Sequence, residues 1–130
     1  MISPAKIQVR FADLDVMGHV NNTVYLSYFE MTRIHYFKQL VGANWDWHKE
    51  GVLLVRNEID YLQPIILNDD PEIFMTLDKI GEKSISLLYE IKVNQEIYTK
   101  GKSILVCFNS EEGKTIPVPK AMAEALRKLI

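Results

Sequence analysis

Between Arg10 and Tyr25 the sequence reads Arg-Phe-Ala-Asp-Leu-Asp-Val-Met-Gly-His-Val-Asn-Asn-Thr-Val-Tyr. Two carboxylates (Asp13, Asp15), an imidazole (His19) and two carboxamides (Asn21, Asn22) fall in this one stretch. A carboxylate can attack a carbonyl carbon or take a proton from water. The stretch runs into an apolar segment with helical character, and the free N–H groups and dipole at a helix start favour negative charge. A carboxylate beside such a terminus makes a ready site for an oxyanion. On residue type alone Asp15 can serve the loop or the chemistry. Asp13 is read as structural, because Asp commonly satisfies loop N–H groups in turns.

The elements that must hold this loop are legible from periodicity. Lys6 to Phe11 alternates Ile7, Val9 and Phe11 with Gln8 and Arg10, the period of a half-buried strand leading into the loop. From about Asn22 to Leu40 the period changes to helical, with Asn21 or Asn22 as cap and Gly42 as stop. Apolar residues lie almost all round this helix, which predicts that protein surrounds it. Glu30 and Arg33 on it are spaced to pair with each other. Four strand-like stretches follow, Leu53 to Ile66, Glu72 to Ile80, Lys83 to Val93 and Ile97 to Phe108. Turns at Gly81-Glu82 and Asn94-Gln95 predict antiparallel hairpins, and Pro64 an edge or bulge. Glu58 and Asp60 share a strand face that is read as solvated. Lys120 to Leu129 reads as a short amphipathic helix after Pro117 and Pro119. The expected architecture is α+β, a five-stranded antiparallel sheet wrapped around a long central helix with a short C-terminal helix, spanning 1–130 as a single domain.

Composition narrows the function. A chain of 130 residues, 48% hydrophobic and 25% charged, is sized for one globular domain. Net charge is -2 and the basic residues are scattered, so no nucleic-acid footprint is expected. No apolar run is long enough to span a bilayer and the first ten residues lack a leader's apolar stretch, so a cytoplasmic location without membrane contact is expected. Cys107, the single cysteine, sits in the apolar run Ile104 to Phe108 and reads as a small core residue. His19, His35 and His48 show no metal-ligand spacing, so no metal is expected. No Gly-x-Ser-x-Gly elbow is present.

The loop resembles the signature of hot-dog thioesterases of the 4-hydroxybenzoyl-CoA thioesterase type, Asp-x-Asp-x-x-Gly-His-Val-x-Asn-x-x-Tyr, here Asp13, Asp15, Gly18, His19, Val20, Asn22 and Tyr25. Glu58-Ile59-Asp60-Tyr61-Leu62-Gln63-Pro64 is similar to a second-strand sequence of that family, and the order of elements also matches. The resemblance implies a hot-dog fold and an acyl-CoA thioesterase that releases free acid and CoA without a cofactor. It places the catalytic carboxylate at Asp15, as nucleophile or general base, and the polarising backbone N–H at Asn22. His19 is implied as a supporting residue, and Asn21 as lining the site. Tyr25 and Tyr28 are read as core residues with hydroxyls near the pocket. Plant fatty-acyl-ACP thioesterases have a similar run but a catalytic Asn where this chain has Met17, a departure from that set. Hot-dog subunits pair through their sheets, which implies a homodimer or homotetramer. A non-catalytic acyl-CoA or acyl-ACP binding protein of the same fold is the alternative, since fold does not fix function. A hot-dog dehydratase, with a His on a different loop motif, ranks third.

Overall fold

Two-residue periodicity becomes sheet, and the apolar helix becomes its filling, in the computed structural model, which describes residues 1–129. The elements are β1 (Ala5–Lys6), α1 (Val24–Val41), β2 (Gly51–Tyr61), β3 (Glu72–Ile80), β4 (Ser84–Val93), β5 (Glu96–Asn109), β6 (Lys114–Thr115) and α2 (Lys120–Leu126). The antiparallel sheet runs β1-β3-β4-β5-β2, with the two-residue β6 added on β5. Curled around α1, this is the five-strand hot-dog sheet the sequence predicts. None of the described helices is long and apolar enough to cross a membrane.

The hairpin signals hold. Asn94 and Gln95 both take positive φ, 50° and 69°, as the tight turn between β4 and β5 requires. Along β4 the residues Ile85, Leu87, Tyr89, Ile91 and Val93 point into the core and are 0–1% exposed. The central contact is Phe29 of α1, wholly buried, its ring stacked on Tyr89 with centroids 4.2 Å apart and planes 8° apart. Gly101 of β5 lies under that ring, where a Cβ would overlap the Phe29 edge, so the absence of a side chain lets the helix close on the sheet. Cys107 is buried among the core residues, which pushes its thiol up to about 11, with Glu50 adding to the effect.

Several boundaries differ from the sequence reading, each for a local reason. The first strand pairs only over Ala5–Lys6 instead of Lys6 to Phe11. After the Ile7 N–H bonds the Pro71 carbonyl at 3.1 Å, the chain leaves the sheet for a 3-10 turn at Phe11–Asp13. Ile7 and Val9 keep their inward positions, but Phe11, expected inward, is 81% exposed on that turn. The helix begins at Val24, because Asn21 closes the preceding turn by accepting the Thr23 N–H and hydroxyl on its side chain and the Val24 N–H on its carbonyl. Strand β2 ends at Tyr61, before Pro64, and its irregularity falls at Leu54/Arg56. The last helix stops at Leu126, although Leu129 still packs into the core. Glu58 and Asp60 are exposed as expected.

Two expectations about α1 fail. Glu30 and Arg33 form no ion pair; the Arg33 guanidinium instead turns inward to the Tyr89 hydroxyl at 3.0 Å and Ser103 Oγ at 3.4 Å. The helix is also not enclosed on all sides, since Leu26, Met31 and Ile34 remain 41%, 49% and 61% exposed. Only the face that carries Tyr25, Tyr28, Phe29, Thr32, Arg33, Tyr36 and Phe37 is buried.

Replacing Gly101 by Ala should therefore cost about 1–3 kcal/mol through overpacking against Phe29. Urea denaturation of the two proteins measures this, and a variant as stable as wild type would mean that α1 is not seated on Gly101.

Candidate active site

The loop is fastened at both ends before any side chain does chemistry. Leu14 and Val20 form an antiparallel bridge across its base, and His19 bridges to Ile66. The Val20 N–H bonds the Ile65 carbonyl and the Asn21 N–H bonds the Asp13 carbonyl, both at 2.8 Å. The segment after β2 thus returns to staple the loop that precedes α1. Inside the bridge, the Asp15 N–H donates to the His19 carbonyl at 2.8 Å and the Gly18 N–H to the Asp15 carbonyl at 3.0 Å. Gly18 sits at φ 76°, a left-handed conformation that costs other residues about 1–2 kcal/mol.

The two aspartates are held in different ways. Asp13 is 2% exposed and receives the Arg10 N–H at 3.0 Å and the Tyr28 hydroxyl at 2.8 Å on Oδ2, with the Arg10 guanidinium at 3.0 Å on Oδ1. Burial pushes its carboxyl up, but these donors and the Arg10 charge outweigh burial and hold it below the ordinary 3.8. Burial, with the Asp13 carboxylate adding, drives the Tyr28 phenol well above its ordinary 10.0. The structural reading of Asp13 therefore has a full set of partners.

Asp15 has only half its acceptors engaged. Its Oδ1 takes the Met17 N–H at 2.9 Å and the His19 N–H at 3.2 Å, which shapes the turn. Its Oδ2 accepts no hydrogen bond among the described residues. The half-buried Asp15 lies on a cleft of about 340 Å³ shared with His19, Asn22, Tyr25, Tyr61 and Gln63. The backbone N–H of Asn22 also has no protein acceptor among the described residues, just before α1 begins at Val24. The cleft is thus lined by a residue whose carboxylate has an unengaged oxygen and by one whose backbone amide is unengaged, at the positive end of a helix. Such a pair can bring a nucleophile and an oxyanion donor to one carbonyl group.

Of the residues expected at the site, Asp15, His19, Asn22 and Tyr25 line this cleft together. Asn21 and Tyr28 do not line it. Asn21 spends its side-chain oxygen on Thr23, and Tyr28 spends its hydroxyl on Asp13 beneath the loop. The sequence reading missed Tyr61 and Gln63 as lining residues. Tyr61 donates its hydroxyl to the Asn22 carbonyl at 3.0 Å and meets Tyr25 edge to face at 4.9 Å, so it pins the backbone at the helix entry. The available signal was their place just before Pro64, where β2 ends and the chain turns back toward the loop. Burial pushes the Tyr25 phenol above its ordinary 10.0. Among the described residues no three His, Cys, Asp or Glu side chains converge as metal ligands.

Residues 9–126 match the thioesterase-like superfamily. The chain is 31% identical over 114 residues, 85% of its own length and 76% of the relative's, to the uncharacterized protein YsmA of Bacillus subtilis. It is 25% identical over 128 residues, 96% of this chain and 97% of the relative, to the long-chain acyl-CoA thioesterase FadM of Escherichia coli. Among solved structures it is similar to a thioesterase from Thermus thermophilus complexed with coenzyme A and Zn. That similarity has a TM-score of 0.85 and 37% identity, covering 98% of this chain and 92% of that one.

The lowered carboxyl of Asp13 makes a pH-dependent contribution with a definite sign. A group whose folded-state pKa is depressed stabilises the fold above its unfolded value and loses that contribution as pH falls through the folded one. Asp13→Asn should cost about 1.5–3 kcal/mol at neutral pH, and the gap to wild type should narrow as pH falls below 3.8. Urea titrations at a series of pH values measure it, and a gap that stays constant into acid would contradict the assigned role.

Proposed function

The chain belongs to the thioesterase-like superfamily and is a thioester hydrolase, and on that premise we propose that it cleaves an acyl-CoA to free acid and CoA with Asp15 as its catalytic carboxylate. The observation that carries this reading is the pairing, in one cleft, of the unengaged Asp15 Oδ2 with the unengaged Asn22 N–H at the start of α1. The thioester carbonyl oxygen would lie against that N–H, and the carbonyl carbon would face Oδ2.

Two routes balance. In one, Oδ2 attacks the carbonyl carbon, the C–S bond breaks, CoA leaves as thiolate, and water then hydrolyses the acyl-aspartyl anhydride. In the other, Oδ2 takes a proton from a water that attacks the carbon, and the tetrahedral oxyanion collapses with loss of the thiolate, which is protonated to CoA. A thiolate leaves readily, so neither route needs a strong general acid, while both need a donor for the oxyanion. His19 supports the turn and the cleft wall, and Tyr25 closes the floor. The names of the relatives favour CoA esters: FadM is a long-chain acyl-CoA thioesterase, and the Thermus protein was crystallised with coenzyme A. No cofactor enters the proposed reaction, and the proposed compartment is the cytoplasm.

The chain is also proposed to self-associate as a homodimer or homotetramer. Among the described residues β2 pairs only with β5, which leaves its other edge free, and Leu53, Leu54 and Val55 along it are 47%, 45% and 58% exposed. Ile34 of α1 borders a cleft with Leu53 and Leu54 and is exposed, as are Leu26 and Met31 on the same helix. An open edge next to an apolar face is a surface that natural proteins cover.

A second reading, an acyl-CoA binding protein without turnover, gains support from the two N–H groups on Asp15 Oδ1, which already give that residue a structural task. Thiol release from short, medium, long and aryl acyl-CoAs separates the two. Hydrolysis of at least one ester is expected, with His19→Ala retaining turnover to within about tenfold, since removal of a true acid or base costs about a hundredfold or more. Tight binding without any thiol release would establish the binding reading instead.

A further inference from the structure

Arg33 is the one buried cation among the described residues, 9% exposed, and it has no acidic partner. Its Nη1 donates to the neutral hydroxyls of Tyr89 and Ser103, and Ser103 in turn donates to Asn57 Oδ1 at 2.6 Å. The Nε and Nη2 of Arg33 have no partner among the described residues, and neither is fully enclosed. Arg33 lines a cleft of about 440 Å³ between α1 and β2, with Glu30, Ile34, Phe37, Trp47 and Leu53 also on its walls. A buried guanidinium without a counter-charge is costly, and one that lines a cleft with donors unused is suited to receive a carboxylate.

Glu30 is a carboxylate on the same helix at a spacing that permits pairing, yet it remains exposed and unbonded while Arg33 turns away from it. Along α1 the residues Leu26, Glu30, Arg33 and Phe37 follow one another at intervals of four, three and four, a symmetric series. A two-fold axis crossing the helix midway between Glu30 and Arg33 would set two copies of α1 antiparallel. Glu30 of each copy would then meet Arg33 of the other, and Leu26 would meet the cleft wall at Phe37. Ile34 of α1 and Leu53 and Leu54 of β2 border the same cleft as Arg33, so one covering surface serves all of them.

We propose that the occupant of this cleft is a second copy of the chain, and that Glu30 of each copy supplies the carboxylate that Arg33 of the other lacks. The inference rests on the self-association reading and specifies its contact. It gives the interface two equivalent charge pairs, each needing both chains, and it sets the register of the apolar contacts around them.

Glu30→Arg and Arg33→Glu, made in separate chains, test it. Each variant alone places like charges across the axis and should dissociate more than about tenfold more readily than wild type in sedimentation or light scattering. A mixture of the two restores opposite charges only between chains, since each chain by itself then carries two like charges. The expected result is a dimer that reforms on co-expression, with differently tagged Glu30→Arg and Arg33→Glu chains purifying together. Failure of the mixture to reassociate, or single variants as dimeric as wild type, would overturn the proposal. Should Arg33→Glu fail to fold alone, Glu30→Gln at an exposed position must weaken the dimer with an unchanged circular dichroism spectrum, and an undiminished dimer again refutes it. A wild-type chain that is monomeric at all concentrations would sink the self-association reading itself, whereas a stable wild-type dimer indifferent to these substitutions sinks only the Glu30–Arg33 contact.

Discussion

Because β1 and β2 occupy opposite edges of the sheet, the chain must cross its concave face between them, and α1 is that crossing. The crossing has to be apolar where it meets β4 and β5, and Phe29 stacked on Tyr89 above Gly101 is the point at which it is seated. Its N-terminus is then fixed at one end of the sheet, and the loop from the 3-10 turn to Thr23 must deliver the chain there. The segment after β2 ends beside the same spot and holds the loop through Ile65 and Ile66. The position of the cleft thus follows from the topology, before its side chains are considered.

Within that frame the loop divides its two carboxylates. Asp13 is buried and meets donors on both oxygens, including a hydroxyl from the helix, so it ties the loop to α1. Asp15, which lines the cleft, uses one oxygen to hold the turn and leaves the other without a donor among the described residues. A carboxylate fixed through one oxygen is pre-oriented for the other, which lowers the cost of placing it against a carbonyl. The unengaged Asn22 N–H then supplies a donor where negative charge would develop.

Much of this was legible in the sequence because it is local. Alternation along Ser84–Val93, the Asn94-Gln95 turn and the loop motif each depend on neighbouring residues, and the structure keeps them. Where the structure differs, hydrogen bonds and packing that periodicity does not encode decide the outcome, some of them local and some distant. Phe11 continues the strand period but is carried outward when Arg10 and Asp13 close a turn. Arg33 is spaced to pair with Glu30, yet Tyr89 and Ser103, more than fifty residues away in the chain, claim its Nη1. Tyr28 and Asn21 were placed near the pocket by motif or type, and the structure assigns their polar atoms to Asp13 and Thr23. The apolar girth of α1 suggested a fully enclosed helix, while one chain encloses only part of it.

Asp15→Asn isolates the free oxygen of Asp15, because the amide keeps a carbonyl oxygen for the Met17 and His19 N–H groups. Turnover of the best acyl-CoA and the affinity for that same ester would be measured side by side on wild type and variant. Catalysis by Asp15 Oδ2 predicts a loss of at least about a hundredfold in kcat with ester binding and thermal stability little changed. Turnover retained within a few-fold would contradict it, leaving Asp15 as a residue that shapes the loop and nothing more.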